Sequence, residues 1–196
     1  MDDAVRAAMA KWPDVPAVFG WLSLDARGRW RVSDTPVQHA GLAAFIGRNY
    51  QSDDTGRWYF QNGPQQVFVT LEYTPWVLRL DTDGTLTTHT GTAIDAPAEA
   101  WLDEDGHLLI SDAKGKVGVV HDADLAGAIE RFGTPAGDDI DPDALLDAAH
   151  WPAAAGITLA RGWVPLSPIR RGEVADRFGF VAAPTDDNPT GHHCRP

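Results

Sequence analysis

The stretch SDDTGRWYFQNGPQQVFVTLEYTPW, residues 52–76, joins two strand-like runs through an Asn-Gly dipeptide. Asn-Gly between alternating apolar residues is among the strongest short-range signals for a β-hairpin. In the second run, Val67, Val69 and Leu71 share one face, and a largely polar set that includes Phe68 shares the other. The stretch therefore predicts an antiparallel hairpin with one face in the core and one mixed face.

A single turn pattern, Asp-x-x-Gly-x-apolar, recurs outward from this stretch. Asp accepts backbone N–H groups early in a tight turn, and Gly supplies the positive φ that closes it. Turns of this kind join antiparallel strands, so we expect residues 17–120 to form mainly a meander of hairpins. The five copies are Asp25–Gly28, Asp53–Gly56, Asp81–Gly84, Asp103–Gly106 and Asp112–Gly115.

Helical segments interrupt and close this meander. Apolar spacing and flanking residues predict short helices near 3–11, 37–49 and 123–132, with Pro36 in the first turn of the second helix and Asp122 as N-cap of the third. The predicted fold class is α+β, mainly an antiparallel β-meander with three to four short helices.

Composition changes mark the expected organisation of the chain. Residues 1–133 should form the β-rich core with its flanking helices, and residues 134–184 a C-terminal extension that packs back on this core. Residues 185–196 should form a disordered tail. A chain of 196 residues with 43% hydrophobic residues is long enough to bury a core unaided.

Negative charge is concentrated in one block. Residues 81–150 contain sixteen Asp and Glu against three Lys and Arg, a net charge of −13, while the whole chain carries −12. Such a block repels phosphate backbones and anionic headgroups, so we expect neither a nucleic-acid nor a membrane partner. Two interpretations of the block itself stay open: a solvated acidic face, or a surface that docks a basic protein.

The single cysteine and the first residues bear on location. Cys194 has no partner for an internal disulfide, and MDDAVRAAMAKW contains two acids and no apolar run of the kind found in secretory signals. No stretch reaches the roughly 20 apolar residues that span a bilayer. The sequence therefore predicts a cytoplasmic protein.

Signatures of catalysis, cofactors and metals are absent from the sequence. No serine lies in a Gly-x-Ser-x-Gly context, and no Gly-rich phosphate loop is present. LDTDG and LDEDG resemble the start of a calcium loop, but the twelfth loop positions hold Thr92 and Lys114 instead of Glu. His192, His193 and Cys194 are adjacent and cannot close a tetrahedral site alone. We therefore predict no cofactor and no metal.

Four runs carry a resemblance: KWPDVPAVFGWLSLDARGRWRV, FIGRNY, DDTGRWYFQNGPQQVFVTLEYTPWVLRL and RRGEVADRFGFV. Together they resemble an uncharacterised family of small proteobacterial proteins with no assigned function, over roughly residues 11–184. The resemblance implies no activity, cofactor or catalytic residue.

The first functional hypothesis is a binding or adaptor domain for a small molecule or peptide, with a groove of aromatic and arginine side chains. Alternation along the strand places Trp58 and Phe60 inside and Arg57 and Tyr59 on the open face, where a guanidinium beside a phenol could hold a carboxylate. In the alternative interpretation the aromatics are core residues and the arginines pair with acids such as Glu72. The predicted ligand-binding residues are Arg48, Arg57, Tyr59, Tyr73, Trp76 and Arg79, with Tyr50 and Trp58 nearby.

The second hypothesis is an enzyme, a hydrolase or isomerase based on His and Asp, whose acid–base residues converge only in three dimensions. His39, His121 and the Asp-rich turns are its candidates. Two titratable side chains within hydrogen-bond reach at the base of a deep pocket would favour it.

Overall fold

The computed structural model describes residues 1–12, 15–145 and 147–186. The predicted α+β class is confirmed, because these residues form two mixed β-sheets with short helices between the strands. Most neighbouring strands run antiparallel, as the repeated turn pattern predicts. Residues 187–196, which include most of the predicted tail and the His192-His193-Cys194 run, lie outside the described residues.

The first sheet contains the Asn-Gly hairpin. Its order is β3-β2-β1-β6-β5-β4. The strands are β1 (Val18–Leu24), β2 (Trp30–Val32), β3 (Thr35–Pro36), β4 (Tyr50–Ser52), β5 (Trp58–Asn62) and β6 (Gln65–Leu71).

The second sheet begins immediately after that hairpin and extends to the C-terminal part of the chain. Its order is β12-β13-β14-β9-β10-β11-β7-β8, so residues beyond 131 form one edge. The strands are β7 (Trp76–Leu80), β8 (Leu86–Thr88), β9 (Pro97–Leu102), β10 (Leu108–Asp112), β11 (Val117–Val120), β12 (Phe132–Gly133), β13 (Gly156–Leu159) and β14 (Gly162–Pro168).

The helices are short and lie between strands or at the ends of the sheets. The α-helices are α1 (Asp3–Lys11), α2 (Ala40–Arg48), α3 (Leu125–Ile129) and α4 (Val174–Phe178). Short 3-10 segments cover Asp122–Asp124, Pro142–Leu145, Ala148–His150 and Arg171–Glu173. No helix within the described ranges has the length and apolar character needed to cross a membrane.

The predicted start of α2 is wrong by three residues. Pro36 does not begin the helix, because the Thr35–Pro36 segment pairs with β2 as a short strand. The helix begins after His39, whose Nδ1 accepts the N–H of Leu42 and so satisfies one of the free donors of the first turn. His39 is therefore the N-cap residue of α2, a position more often occupied by Asp or Ser.

All five Asp-x-x-Gly turns close hairpins as predicted. In each, the glycine N–H donates to the carbonyl of the Asp at 2.9–3.2 Å, and the glycine φ lies between +77° and +85°. Glycine takes up this backbone conformation with the least strain, because it has no Cβ. The Asn-Gly hairpin also forms, but Asn62 pairs with Gln65, so Gly63 and Pro64 are the two loop residues.

Three parallel pairs join segments that are distant in sequence. β1 pairs with β6, β7 with β11, and β9 with β14. One hydrophobic core contains side chains of both sheets, including Phe60 and Val69 from the first and Val77 and Ile110 from the second. Each of these pairs lies within one sheet, β1–β6 in the first and the other two in the second, and so each brings distant segments side by side in that sheet.

Candidate functional site

The residues predicted to line one groove lie in separate surroundings. Each predicted arginine forms an ion pair with an aspartate, at 3.3 Å for Arg48, 2.8 Å for Arg57 and 2.7 Å for Arg79. The aspartates are Asp2, Asp53 and Asp124, respectively. Pairing with acids was the expected alternative, although the acid named for it, Glu72, instead accepts the backbone N–H of Ala26.

Tyr59 does not lie on an open face. Its side chain is only 8% exposed, because Phe68 faces it across the β5–β6 pair and Phe19 stacks on Phe68 at 4.5 Å. The alternation was predicted correctly, since Phe60 is buried on the opposite face. The prediction was wrong about exposure: aromatic residues from β1 and β6, together with the Arg57 guanidinium 4.9 Å above Phe68, cover the second face.

Trp76 belongs to an aromatic cluster between the two sheets. Its ring lies 5.1 Å from Trp58 and 5.5 Å from Tyr50, edge to face. His89 completes the cluster at 5.7 Å from Trp76, and Trp30 packs against Tyr50 at 5.0 Å. The predicted grouping of Tyr50, Trp58 and Trp76 is therefore present, but mainly as core.

His89 is the titratable group inside this cluster. Its Nδ1 accepts the backbone N–H of Val77 at 3.2 Å, which places the proton of the neutral ring on Nε2. That nitrogen and Nε1 of Trp76 are buried without a hydrogen-bond partner among the described residues. Burial in this apolar setting lowers the pKa of His89 to about 4.

A polar network that none of the sequence patterns predicted surrounds Asp103. The Asp103 side chain is fully buried, and its Oδ2 accepts the hydroxyl of Tyr73 at 2.7 Å and lies 2.9 Å from Nδ1 of His107. Its Oδ1 accepts the backbone N–H groups of Asp105 and His107. Burial and the bond to Asp103 raise the pKa of Tyr73 far above its ordinary value.

Arg171 covers this network from the C-terminal part of the chain. Its guanidinium lies 4.3 Å above the Tyr73 ring and 3.7 Å from the carboxylate of Asp105. The backbone N–H of Arg171 donates to Glu104 at 2.8 Å. Of the predicted binding residues, Tyr73 alone belongs to this network.

One local signal could have identified part of the network. In three of the five turns the residue after the glycine pairs with the carboxylate of the turn Asp: Arg29 with Asp25, Arg57 with Asp53, and His107 with Asp103. The pattern Asp-x-x-Gly-His therefore indicates an Asp–His pair. The contributions of Tyr73 and Arg171 carry no such signal.

Asp103, Asp105 and His107 are also the group of potential metal ligands in the described part of the chain. One ligand atom from each lies within 4.8 Å of the others. The carboxylate of Asp103, however, already accepts Tyr73, His107 and two backbone donors. The group is therefore a satisfied hydrogen-bond network.

A cleft of about 500 Å³ lies next to this network, between the β9–β10 turn and the C-terminal part of the chain. We call it the Trp151 cleft. Its apolar side chains include Leu102, Leu145, Trp151 and Ile169, and its charged side chains are Asp103, Glu104, Arg170 and Glu173. The indole N–H of Trp151 donates to the carbonyl of Leu166, which fixes the ring as a wall.

A second cleft of about 520 Å³ is more polar. It is lined by Asp81, Asp124, Glu130 and Arg131, among others, and we call it the Arg131 cleft. Arg79 lies at its edge through its paired hydrogen bonds to Asp124, which hold the pKa of that carboxyl below its usual range. Asp124 is paired with Arg79, Arg131 donates to the carbonyls of Thr82 and Thr158, and no aromatic side chain among the described residues lines the cleft, so it offers less to a ligand than the Trp151 cleft.

The histidines named for the enzyme hypothesis have local structural roles. His39 caps α2, and Nδ1 of His121 accepts the N–H of Ala123 at the start of the segment leading into α3. The His121 cap corrects the expectation that Asp122 would fill this role. The close Asp–His pair in the interior is formed instead by Asp103 and His107.

The fold and its clefts define a small α+β protein with two mixed sheets around one core. The sequence matches, over residues 1–185, the family DUF2944, whose description reads "Protein of unknown function (DUF2946)". The chain belongs to this family, and the expected membership of an uncharacterised family is confirmed. Comparison with curated protein sequences gives no match.

Solved structures with a similar fold include a DUF1285 family protein from Silicibacter pomeroyi DSS-3. It has a TM-score of 0.53 and 12% identity, covering 85% of this chain and 96% of that one. A DUF1285 family protein from Shewanella baltica OS155 has a TM-score of 0.41 and 17% identity, covering 53% and 86%. These identities limit the likeness to the fold, and the second similarity is too low to support any argument.

Proposed function

We propose that this protein is a binding domain for a small organic molecule that joins an apolar body to a positively charged amine, and that the Trp151 cleft is its site. The observation that carries the proposal is the combination in one cleft of about 500 Å³ of an apolar wall with three carboxylates. Ligand sites are typically concave, largely apolar and furnished with a few polar groups, in this range of volume.

The apolar side chains of the cleft indicate a ligand with an apolar body. Leu145 and Ile169 are buried at 4% and 8% exposure, and Trp151 is half-buried beside them. A fixed indole ring offers a flat surface for a second ring. Stacking on Trp151 would remove apolar area of both rings from water, which is favourable without any further contact.

The charges support a cationic group on that body. Three carboxylates line the cleft, those of Asp103, Glu104 and Glu173, against the single guanidinium of Arg170. The Asp103 carboxylate is fully buried and contributes only its charge, so a bound amine would meet the exposed Glu104 and Glu173. Glu173 is exposed and pairs with no cation in the described ranges of the chain. A net negative lining attracts an amine and repels a carboxylate of the same shape.

Three matched probes test this proposal: phenethylamine, phenethyl alcohol and phenylacetate carry one ring with a positive, neutral or negative end. Phenethylamine has nine non-hydrogen atoms, and about −0.4 kcal/mol for each gives roughly −4 kcal/mol, a millimolar Kd. We expect binding in the order amine, alcohol, acid. Binding is followed by the indole N–H resonance of Trp151 in NMR titrations, assigned with Trp151→Phe.

Two carboxamide variants provide the control. Glu173→Gln should weaken phenethylamine about two- to fivefold, the range for one exposed ion pair. Glu130→Gln removes an exposed carboxylate of similar kind from the Arg131 cleft and should leave the Kd unchanged. The proposal would be refuted if none of the probes shifted the Trp151 resonance. It would also be refuted if phenylacetate bound with a Kd equal to that of phenethylamine.

A second candidate function is acid–base catalysis by His107. One observation favours it: Nδ1 of His107 faces the buried carboxylate of Asp103, an arrangement that orients an imidazole and leaves Nε2 for proton transfer. His107 opens on a pocket of about 190 Å³ that also contains Arg27, Arg29 and Glu72. The wild-type protein should hydrolyse p-nitrophenyl acetate, and His107→Gln should abolish this activity. Equal rates of hydrolysis by the two proteins would exclude His107 as an acid–base catalyst.

We also propose a cytoplasmic location. It is supported by the single cysteine, which leaves no internal disulfide to form, and by the absence of a membrane-spanning helix from the described ranges. Imaging of a tagged full-length chain in its native host tests this, and signal confined to the cell envelope would contradict it.

A further inference from the structure

A smaller pocket with the opposite charge lies where the two sheets meet. It has a volume of about 190 Å³, and we call it the lysine pocket. The side chains that matter for its chemistry are Trp58, Trp76, Lys114, Lys116 and Phe178. It is separate from the Trp151 cleft, with which it shares no lining residue.

Four separate parts of the chain build this pocket. Trp58 begins β5 and Trp76 begins β7, so their rings reach it from different sheets. The Asp112–Gly115 turn contributes Lys114, Lys116 follows that turn, and Phe178 comes from the end of α4. The ammonium of Lys116 lies 5.8 Å from the centre of the Trp76 ring.

The two lysines place positive charge within an otherwise acidic segment of the chain. The sequence contains three lysines, and two of them line this pocket although the surrounding segment 81–150 carries −13. Both are exposed, and neither side chain pairs with an acid in the part of the chain that the structure describes. The nearby carboxylate of Asp112 accepts their backbone N–H groups through Oδ1.

Aromatic walls and two ammonium groups select a particular ligand chemistry. A ring can lie against the indoles of Trp58 and Trp76, while a carboxylate on that ring meets Lys114 and Lys116. A dry cavity of about 150 Å³ holds benzene, so about 190 Å³ suits one ring with a carboxylate. We propose that the lysine pocket is a second binding site, for a single-ring aromatic carboxylate.

Benzoate, benzyl alcohol and benzylamine provide the matched probes. The indole resonances of Trp58 and Trp76, assigned with Trp58→Phe and Trp76→Phe, report on this pocket and not on the Trp151 cleft. We expect benzoate to shift both resonances with the lowest Kd of the three, and its Kd to rise with added sodium chloride because salt screens the lysines. Benzylamine binding as tightly as benzoate would overturn the proposal.

Variants of the three lysines separate charge from structure. Lys114→Gln with Lys116→Gln should raise the Kd of benzoate about tenfold, the effect of two lost exposed ion pairs. Lys114→Arg with Lys116→Arg keeps both charges and should bind within about threefold of wild type. Lys11→Gln removes the remaining lysine, which ends α1 and lies over the ring of Trp12, and should leave the Kd of benzoate unchanged. If the Gln pair and Lys11→Gln bind benzoate equally well, the lysines do not form a site.

Discussion

Tyr73→Phe tests whether the Asp103 network stabilises the fold. The substitution removes only the hydroxyl that donates to Oδ2 of Asp103 at 2.7 Å, so the ring beneath Arg171 is retained. The carboxylate is fully buried and loses one of its donors. The backbone N–H groups of Asp105 and His107 and the ring of His107 still bind it.

The magnitude follows from the charge of the acceptor. Hydrogen bonds to charged groups contribute about 1.5–3 kcal/mol, and a buried carboxylate cannot replace the lost donor with bulk water. We expect Tyr73→Phe to lower the free energy of unfolding by about 2 kcal/mol. For a chain of this size that corresponds to a fall in Tm of roughly 4–8 °C.

Urea unfolding followed by circular dichroism provides the measurement, with Tyr59→Phe as the matched control. Tyr59 is equally buried, but its hydroxyl meets the neutral amide of Gln51 at 2.6 Å, so its loss should cost about 1 kcal/mol. Equal losses in the two variants, or a loss below about 1 kcal/mol for Tyr73→Phe, would refute the reasoning from the buried charge.

The remaining predictions concern backbone, pH and charge. Gly56→Ala should destabilise the fold more than Gly106→Ala. Both glycines have φ near +80°, a conformation that costs an alanine about 1 kcal/mol. The new Cβ at position 56 would also overlap the carbonyl oxygen of Gly179, whereas position 106 faces open space. Equal changes in urea midpoints would contradict the close approach. Burial lowers the pKa of His89 to about 4, so between about pH 6.5 and pH 4 the unfolded chain binds a proton that the folded chain does not. The free energy of unfolding should therefore decrease as the pH is lowered through this window. His89→Phe should flatten this slope by up to about 1.4 kcal/mol per pH unit, and a parallel pH profile would show that His89 titrates normally. The −13 block should prevent micromolar binding to duplex DNA or anionic vesicles at physiological salt, and a gel shift or vesicle sedimentation showing such binding would refute it.

The sequence by itself determined the features whose causes lie within a few residues. Each Asp-x-x-Gly turn forms because its hydrogen bonds and its positive φ belong to one five-residue segment. The first helix and the α+β class follow from equally local patterns. Even the Asp103–His107 pair belongs to this group, since it spans a single turn.

Only the tertiary structure decided which of these local pieces meet. Tyr59 is buried because β1 and β6 bring Phe19 and Phe68 over the face that alternation left open. Tyr73 reaches Asp103 across 30 residues, and the lysine pocket joins the beginnings of β5 and β7, the Asp112–Gly115 hairpin and the end of α4. These long-range contacts depend on how whole strands pair, and that pairing is decided by many small packing energies added over the core. No short segment of the sequence carries this information, because the contributing residues are spread along the chain.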